Sequence, residues 1–190
     1  KRFIYQARKL LAAEPKANGL TMRGFSAAPS IGSYEDVYGL RAAAIAVYPM
    51  YKGLAQLVGM DVIGRPNTLE EEIDVLERAW ADYDFFFVHF KYTDSRGEDG
   101  NFNAKVAMIE QFDAIVPRVM GLKPTVLLVT GDHSTPARLA SHSWHPVPVL
   151  LVADTCRPDG LTAFGEREAM HGGLGHIPGV YLMPLAMAHA

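Results

Sequence analysis

The sequence has 190 residues and a mass of 20.8 kDa, a size that suits one domain at about 100–200 residues per domain. Hydrophobic residues make up 49% and charged residues 21%, and this ordinary globular balance excludes a disordered or fibrous chain. The formal net charge of −3 has the wrong sign for a protein that holds nucleic acid through its phosphates. A single cysteine, Cys156, excludes an internal disulfide.

The apolar runs of the sequence are too short to cross a bilayer, since even residues 147–153 fall far short of the about 20 residues required. No signal peptide is visible at the start. We therefore expect a cytoplasmic protein with no membrane partner and no nucleic-acid partner. The chain opens inside an amphipathic helix that no N-cap residue precedes, and we expect the sequence to be part of a longer one.

The first half of the chain alternates short strands with helices. The apolar stretch 40–47 ends abruptly at Pro49, which favours a strand over a helix. Thr68 and Glu71 have the spacing of a capping box, which predicts that a helix begins there. The spacing of Ile73, Leu76 and Trp80 predicts that they share one face of this helix. Further strands are predicted at 19–24 and 60–63, further helices at the start of the chain and at 50–58, and a loop at 26–33.

Three apolar runs in the second half, at 84–90, 125–130 and 147–153, predict buried strands. Apolar runs without polar alternation are typical of a sheet that is covered on both faces. The stretch 103–120 between the first two runs has helical spacing, and strand, helix and strand form the crossover that joins parallel strands. The predicted fold class is therefore α/β, with a mostly parallel sheet covered by helices on both faces. A small helix at 181–188 closes the chain.

Polar side chains follow two of these strands and precede the third. Asp94 and Glu98 stand one helical turn apart after the first strand, Asp132 and His133 follow the second, and His142 precedes the third. Ligands of open parallel sheets collect just past the carboxyl ends of the strands. Carboxylate oxygens mixed with imidazole nitrogens suit Mn, Zn, Co or Mg, and two such ions about 3.5–4 Å apart would serve phosphoryl displacement. Taken alone, each of these pairs is more often a solvated surface feature than a metal site. Their shared position beside buried strands is what favours a metal site.

Several stretches of the sequence also match one family. They are R-G at Arg23 and Gly24, Y-G-L-R-A-A-A-I-A-V-Y-P-M-Y-K-G from Tyr38, H-F-K-Y-T-D-S-R-G-E-D-G from His89, T-G-D-H-S-T-P from Thr130, H-S-W-H-P-V-P from His142, and H-G-G-L-G from His171. On these stretches the chain resembles the C-terminal half of the archaeal-type cofactor-independent phosphoglycerate mutases, members of the alkaline phosphatase superfamily. The resemblance implies a partial alkaline-phosphatase-like fold, in which residues 1–190 form a single metal-binding domain and a C-terminal fragment of a longer enzyme.

The resemblance also implies two divalent metal ions (Mn, Zn, Co or Mg) as cofactors. Asp132 and His133 match ligands of the metal that activates the nucleophile, and Asp94 and His142 match ligands of the other metal. Glu98 stands where the family usually has histidine. A carboxylate there can still bind Mn or Mg, and it would lower the preference of the site for zinc.

Cationic side chains are expected to hold the phosphate and the carboxylate of the substrate, and the candidates are Arg23, Lys52 and Lys91. The family's nucleophilic serine and one aspartate ligand lie in an N-terminal segment outside these residues. Ser134 is interpreted as a loop hydroxyl rather than as that nucleophile. His89, inside an apolar strand, is interpreted as a core histidine whose hydrogen bonds are satisfied.

The function implied is the metal-dependent interconversion of 3-phosphoglycerate and 2-phosphoglycerate through a phosphoserine. The 190 residues alone are predicted to be inactive, because the loss of a nucleophile lowers the rate by orders of magnitude. One alternative is a related phosphonate or phosphate-ester enzyme, since some family members have been labelled phosphonopyruvate decarboxylase. The other is a non-catalytic, truncated metal-binding or scaffolding fragment.

Overall fold

The computed structural model describes residues 1–22, 26, 27 and 29–190, and it divides into two compact units at 1–32 and 33–190. The first unit contains α1 (Arg2–Leu11), whose N-terminus has no side-chain cap. Residues 19–22 are not in a strand, and the rest of the strand predicted at 19–24 lies outside the described residues. Whether residues 1–190 act as one domain stays a prediction.

A three-stranded parallel sheet forms the centre of the second unit. Its strands are β1 (Ala42–Ala46), β2 (Asp61–Val62) and β3 (Phe85–His89), in the order β2-β1-β3. The central strand is buried at every position, as its apolar sequence predicts. Ala46 of β1 is in register with His89 of β3, so the carboxyl ends of both strands meet at one edge of the sheet. The α/β class with a parallel sheet is confirmed.

Helices pack on this sheet through a small core around Ile45. Leu69, Ile73 and Leu76 of α4 (Leu69–Ala79) join Ile45 in that core, as their helical spacing predicts. The Thr68 side chain accepts the Glu71 N–H at 3.2 Å, but the Glu71 carboxylate accepts the Asn67 N–H at 2.7 Å. The predicted capping box is therefore only half formed. Beside the sheet lie α2 (Tyr34–Tyr38) and α3 (Pro49–Leu57).

The longest described helix is α6 (Phe102–Gly121), which packs against α4. Asn101 caps it by accepting the Ala104 N–H at 3.0 Å, and Ile115 is its buried contribution to the core. Arg118 donates to Asp74 and Glu77 of α4, both at 2.7 Å. Between β3 and α6 lies α5 (Tyr92–Glu98), and the chain ends with α7 (Glu166–Ala169), a 3₁₀ turn (Gly179–Tyr181) and α8 (Leu182–His189).

The predicted parallel crossover from β3 to the next strand is wrong. β4 (Val126–Val129) pairs with β5 (Leu150–Ala153) in a separate antiparallel sheet, with Val126 opposite Ala153. The helix α6 does connect β3 to β4, but β4 does not pair with β3. The connection from β4 to β5 at 130–149 forms no helix, so it does not supply the crossover that a parallel β4–β5 pair would need. β5 also leaves Leu150 and Val152 exposed at 36% and 38%. Among the described residues no helix is long and apolar enough to span a membrane.

Candidate metal site

The first part of the site is carried by α5, which begins three residues after β3 ends. Asp94 lies in its first turn and Glu98 is its last residue, and positions four apart share one side of a helix. The Asp94 side chain is only 14% exposed, whereas that of Glu98 is 49% exposed. The helix thus presents one sheltered and one solvent-facing carboxylate at the carboxyl edge of the parallel sheet.

The second part is carried by the segment after β4, which folds back on itself. An isolated antiparallel bridge joins Ser134 to Ser143, with the Ser143 N–H donating to the Ser134 carbonyl at 2.9 Å. The bridge carries His142 back beside His133, and the centres of the two imidazole rings lie 4.0 Å apart. Two histidines nine positions apart in sequence therefore become neighbours.

The two parts converge on one point. Asp94, His133 and His142 each offer one ligand atom, and these three atoms all lie within 4.8 Å of one another. The His142 Nε2 is 3.4 Å from the Glu98 Oε1, and the His133 Nε2 is 3.3 Å from the Asp132 Oδ2. All five metal-ligating candidates are therefore brought together. Mixed oxygen and nitrogen donors at these separations fit a divalent transition metal.

Asp94 is held in its charged form by two neighbours. Burial raises its pKa, but hydrogen bonds from Lys91 and from the Thr135 hydroxyl outweigh burial and leave the pKa below its usual value. The Thr135 Oγ1 lies 2.5 Å from the Asp94 Oδ1. The Lys91 ammonium also lies 5.2 Å from the centre of the Tyr48 ring. Lys91 therefore contacts a proposed metal ligand directly, and its contact with substrate stays a prediction.

The α5 backbone and the segment after β4 touch at Gly97. A Cβ at Gly97 would lie only 2.2 Å from the Thr135 carbonyl oxygen, so the approach requires glycine. The Lys105 ammonium donates to the same carbonyl at 2.8 Å. Sequence reasoning missed these three residues, although a glycine inside a helix is itself a sign of close approach.

A further contact reaches the site from α3. Tyr51, in the first turn of that helix, donates its hydroxyl to the Asp132 Oδ2, and its ring stacks on His89 with centres 3.6 Å apart. Burial and the hydrogen bond to Asp132 both raise the pKa of Tyr51. Sequence reasoning missed this tyrosine, since nothing local links it to a residue so distant in sequence.

The interpretation of His89 is only half correct. The histidine is half-buried on β3, where its ring stacks on Tyr51, and burial lowers its pKa. Its Nδ1, however, is buried with no hydrogen-bond partner among the described residues. Of the cationic candidates, Lys52 is half-buried in α3 beside Tyr51, and Arg23 lies outside the described residues.

These features define the class of protein: an α/β protein with a candidate metal site at the carboxyl edge of a parallel sheet. Residues 20–189 match the family model described as the Metalloenzyme superfamily. The chain belongs to this superfamily. The ligand set predicted from sequence thus falls inside a family defined by metal chemistry.

Curated relatives agree with the resemblance found in the sequence. Proteins named 2,3-bisphosphoglycerate-independent phosphoglycerate mutase are 54% identical over 186 residues in Thermus thermophilus and 51% identical over 191 residues in Aquifex aeolicus. The Thermus alignment covers 96% of this chain and 46% of the relative, and the Aquifex alignment covers 100% and 47%. The chain therefore spans about half the length of the curated relatives it matches.

Two solved structures share the fold. The PH0037 protein from Pyrococcus horikoshii superposes with a TM-score of 0.82 at 33% identity, covering 88% of this chain and 55% of that one. The cofactor-independent phosphoglycerate mutase from Thermoplasma acidophilum gives a TM-score of 0.70 at 23% identity, covering 98% of this chain and 50% of that one. The second likeness supports the fold alone.

Proposed function

We propose that these residues form the metal-binding part of a phosphoglycerate mutase that interconverts 3-phosphoglycerate and 2-phosphoglycerate in the cytoplasm. The observation that carries the proposal is the convergence of the Asp94, His133 and His142 ligand atoms within 4.8 Å, which brings ligands assigned below to two neighbouring ions close to one another. The names of the relatives from Thermus and Aquifex support the substrate. In the reaction, the phosphoryl group moves from the 3-hydroxyl oxygen to a serine oxygen and then to the 2-hydroxyl, so no co-substrate is consumed.

The ligands divide between two sites. Asp94, Glu98 and His142 would hold one divalent ion, because the His142 Nε2 faces both carboxylates at 3.8 and 3.4 Å. Asp132 and His133 would hold the other. When bound, such ions lower the pKa of a nucleophile and stabilise the charge of the transferring phosphoryl group. The serine itself comes from outside these residues, as the resemblance implies.

The other side chains of the site position these ligands and the substrate. The Thr135 hydroxyl orients the Asp94 carboxylate and, together with Lys91, keeps it ionised. Lys52 and Arg23 are proposed to bind the phosphate and carboxylate of the substrate through charge-assisted hydrogen bonds. Because Asp94 stays ionised near pH 7, no proton has to leave this carboxylate before it binds a metal ion.

The metal site is tested by Asp94→Asn in the 190-residue chain. We expect Mn²⁺ affinity, measured by calorimetry, to fall at least about 100-fold, since a ligand matters at least as much as the groups that support it. Asp99→Asn is the matched control, because Asp99 directly follows the same helix and pairs with Arg96 rather than with the site. Unchanged affinity in Asp94→Asn would contradict the metal site.

The mutase activity is tested on the full-length gene product that contains these residues. We expect it to convert 3-phosphoglycerate to 2-phosphoglycerate, to lose that activity with a chelator, and to regain it with added Mn²⁺. The 190 residues alone are expected to show no turnover. Metal binding without mutase activity in the full-length protein would contradict the substrate and leave the metal site standing.

The choice of metal is tested at Glu98. We expect Glu98→His to raise the ratio of Zn²⁺ to Mn²⁺ affinity at least about tenfold, because imidazole suits zinc and carboxylate suits manganese. Competition dialysis measures the ratio. Glu110→His places the same new imidazole on the exposed surface of α6 and serves as the control. Equal ratios in the two variants would show that Glu98 is not a ligand.

A further inference from the structure

Tyr51 is not a proposed metal ligand, but it forms a hydrogen bond with one of them. Its hydroxyl donates to the Asp132 Oδ2, joining α3 to a segment 81 positions later in the chain. The Asp132 side chain is 47% exposed, and its other oxygen accepts the N–H of His133 at 3.0 Å. Asp132 itself lies in a bend outside any helix or strand. In the described part of the chain, Tyr51 is therefore the side chain that fixes this carboxylate from a regular element.

The tyrosine ring is itself held rigidly. It stacks on His89 with ring centres 3.6 Å apart and planes inclined by 23°, and it also lies 6.4 Å from Phe87. Both partners belong to β3, which is paired along its length with the buried strand β1. Pro49 at the start of α3 restrains the backbone two residues before Tyr51. The hydroxyl thus reaches Asp132 from a ring that is packed against the parallel sheet.

The contact leaves the carboxylate able to bind a cation. A carboxylate has about four lone-pair directions on its two oxygens, and the tyrosine hydroxyl and the His133 N–H use two of them. The His133 Nε2 lies 3.3 Å from the same Oδ2 that Tyr51 contacts. A donor that orients a ligand oxygen in this way raises metal affinity by 10–100-fold in other sites.

We propose that Tyr51 is a positioning residue for the metal site, which orients the Asp132 carboxylate beside His133 through its hydroxyl while His89 holds its ring. The inference rests on the proposed function, because it takes Asp132 as a ligand. It assigns to the aromatic stack on β3 a role in the chemistry of the site beyond packing. Removal of the hydroxyl alone is therefore the informative change.

The test compares Tyr51→Phe with Tyr83→Phe in the 190-residue chain. Tyr83 also donates its hydroxyl to a carboxylate, Asp61 at 3.1 Å, but it does so at the opposite, amino end of the sheet. Calorimetry with Mn²⁺ and with Zn²⁺ measures affinity, and urea unfolding measures stability. We expect Tyr51→Phe to bind metal about 10–100-fold more weakly, and Tyr83→Phe to bind as the unmodified chain does.

Equal metal affinity in Tyr51→Phe and the unmodified chain would overturn the inference. If Asp94→Asn loses affinity while Tyr51→Phe does not, only the role of Tyr51 fails; if neither loses affinity, the metal site itself fails. If Tyr51→Phe does not fold, the test uses a chain in which fluorotyrosine replaces Tyr51 alone. Its ¹⁹F resonance is expected to move in step with Zn²⁺ binding, and a resonance that stays in place would overturn the inference.

Discussion

Replacement of Gly97 by alanine is expected to separate α5 from the segment after β4 and to disrupt the metal site. The new Cβ would lie 2.2 Å from the Thr135 carbonyl oxygen, 3.0 Å from the Thr135 Cγ2 and 3.1 Å from the Lys105 Nζ. A carbonyl of the backbone cannot move aside as a flexible side-chain end can. Since overpacking costs about 1–3 kcal/mol, we expect a loss of stability of that size. We also expect Mn²⁺ affinity to fall at least about tenfold, because Thr135 orients Asp94.

Gly53→Ala is the matched control for this change. Gly53 also lies inside a helix, α3, but nothing stands within 4 Å of a Cβ built on it. Alanine is the better helix former by about 1 kcal/mol, so Gly53→Ala is expected to leave stability unchanged or to raise it. Urea unfolding and Mn²⁺ calorimetry on both variants measure the two effects. Equal stability and equal Mn²⁺ affinity in Gly97→Ala and Gly53→Ala would contradict the close approach of Gly97 to the Thr135 carbonyl oxygen.

The second large effect is expected at Glu72, a carboxyl group enclosed in the core. Glu72 is 0% exposed, and in the described part of the chain neither of its oxygens has a hydrogen-bond partner. Burial raises its pKa from 4.5 to about 8, against smaller opposing contributions from the Val47 N–H, which lies nearby without completing a hydrogen bond, and from the Lys52 ammonium. The group is therefore protonated in the folded chain near pH 7 and ionised in the unfolded chain.

The sign of the pH dependence follows from these two values. Below about pH 4.5 both states hold the proton and the contribution of Glu72 to stability is fully present. As pH rises towards about 8, only the folded state keeps the proton, so stability is progressively lost. At about 1.4 kcal/mol for each pKa unit, the loss attributable to Glu72 is of the order of 5 kcal/mol above pH 8.

Glu72→Gln removes this ionisation while keeping the size of the side chain. We expect the free energy of unfolding of the variant, relative to the unmodified chain, to increase by several kcal/mol between about pH 5 and pH 9. Urea unfolding at several pH values measures the difference. Glu71→Gln, at the exposed neighbouring position, is the control. A difference that stays level with pH in Glu72→Gln, as in Glu71→Gln, would show that Glu72 is not protonated in the folded chain.

Local patterns were sufficient for the elements that lie within one stretch of sequence. The alanine-rich run before Pro49 predicted β1, and the spacing of Ile73 and Leu76 predicted the buried face of α4, because period and apolarity report burial directly. The donors Asp94, Asp132 and His133 were found because each follows a predicted strand. Glu98 follows the first of these strands and His142 precedes the third, so both were found in the same way, and the resemblance to the mutase family added the division between two metals and the departure from histidine at Glu98.

Those local patterns could not predict contacts between residues that are far apart in the sequence. The run that forms β4 is equally apolar whether its neighbour is β3 or β5, so its antiparallel pairing with β5 could not be read from its own residues. The hydrogen bond of Tyr51 to Asp132 and the approach of Gly97 to Thr135 depend on how separate elements pack. Glu72 resembles any polar residue in the first turn of a helix until its neighbours enclose it.

The order of residues along the chain was thus enough to predict the α/β class and to select candidate ligands of oxygen and nitrogen type, because burial and donor type are properties of single segments. Packing in three dimensions alone decided which strands pair and which side chains contact the candidate metal ligands. It also decided the burial of Glu72, which raises the pKa of that carboxyl group. These outcomes depend on hydrogen bonds and desolvation between segments far apart in sequence, and such interactions leave no periodic trace in either segment.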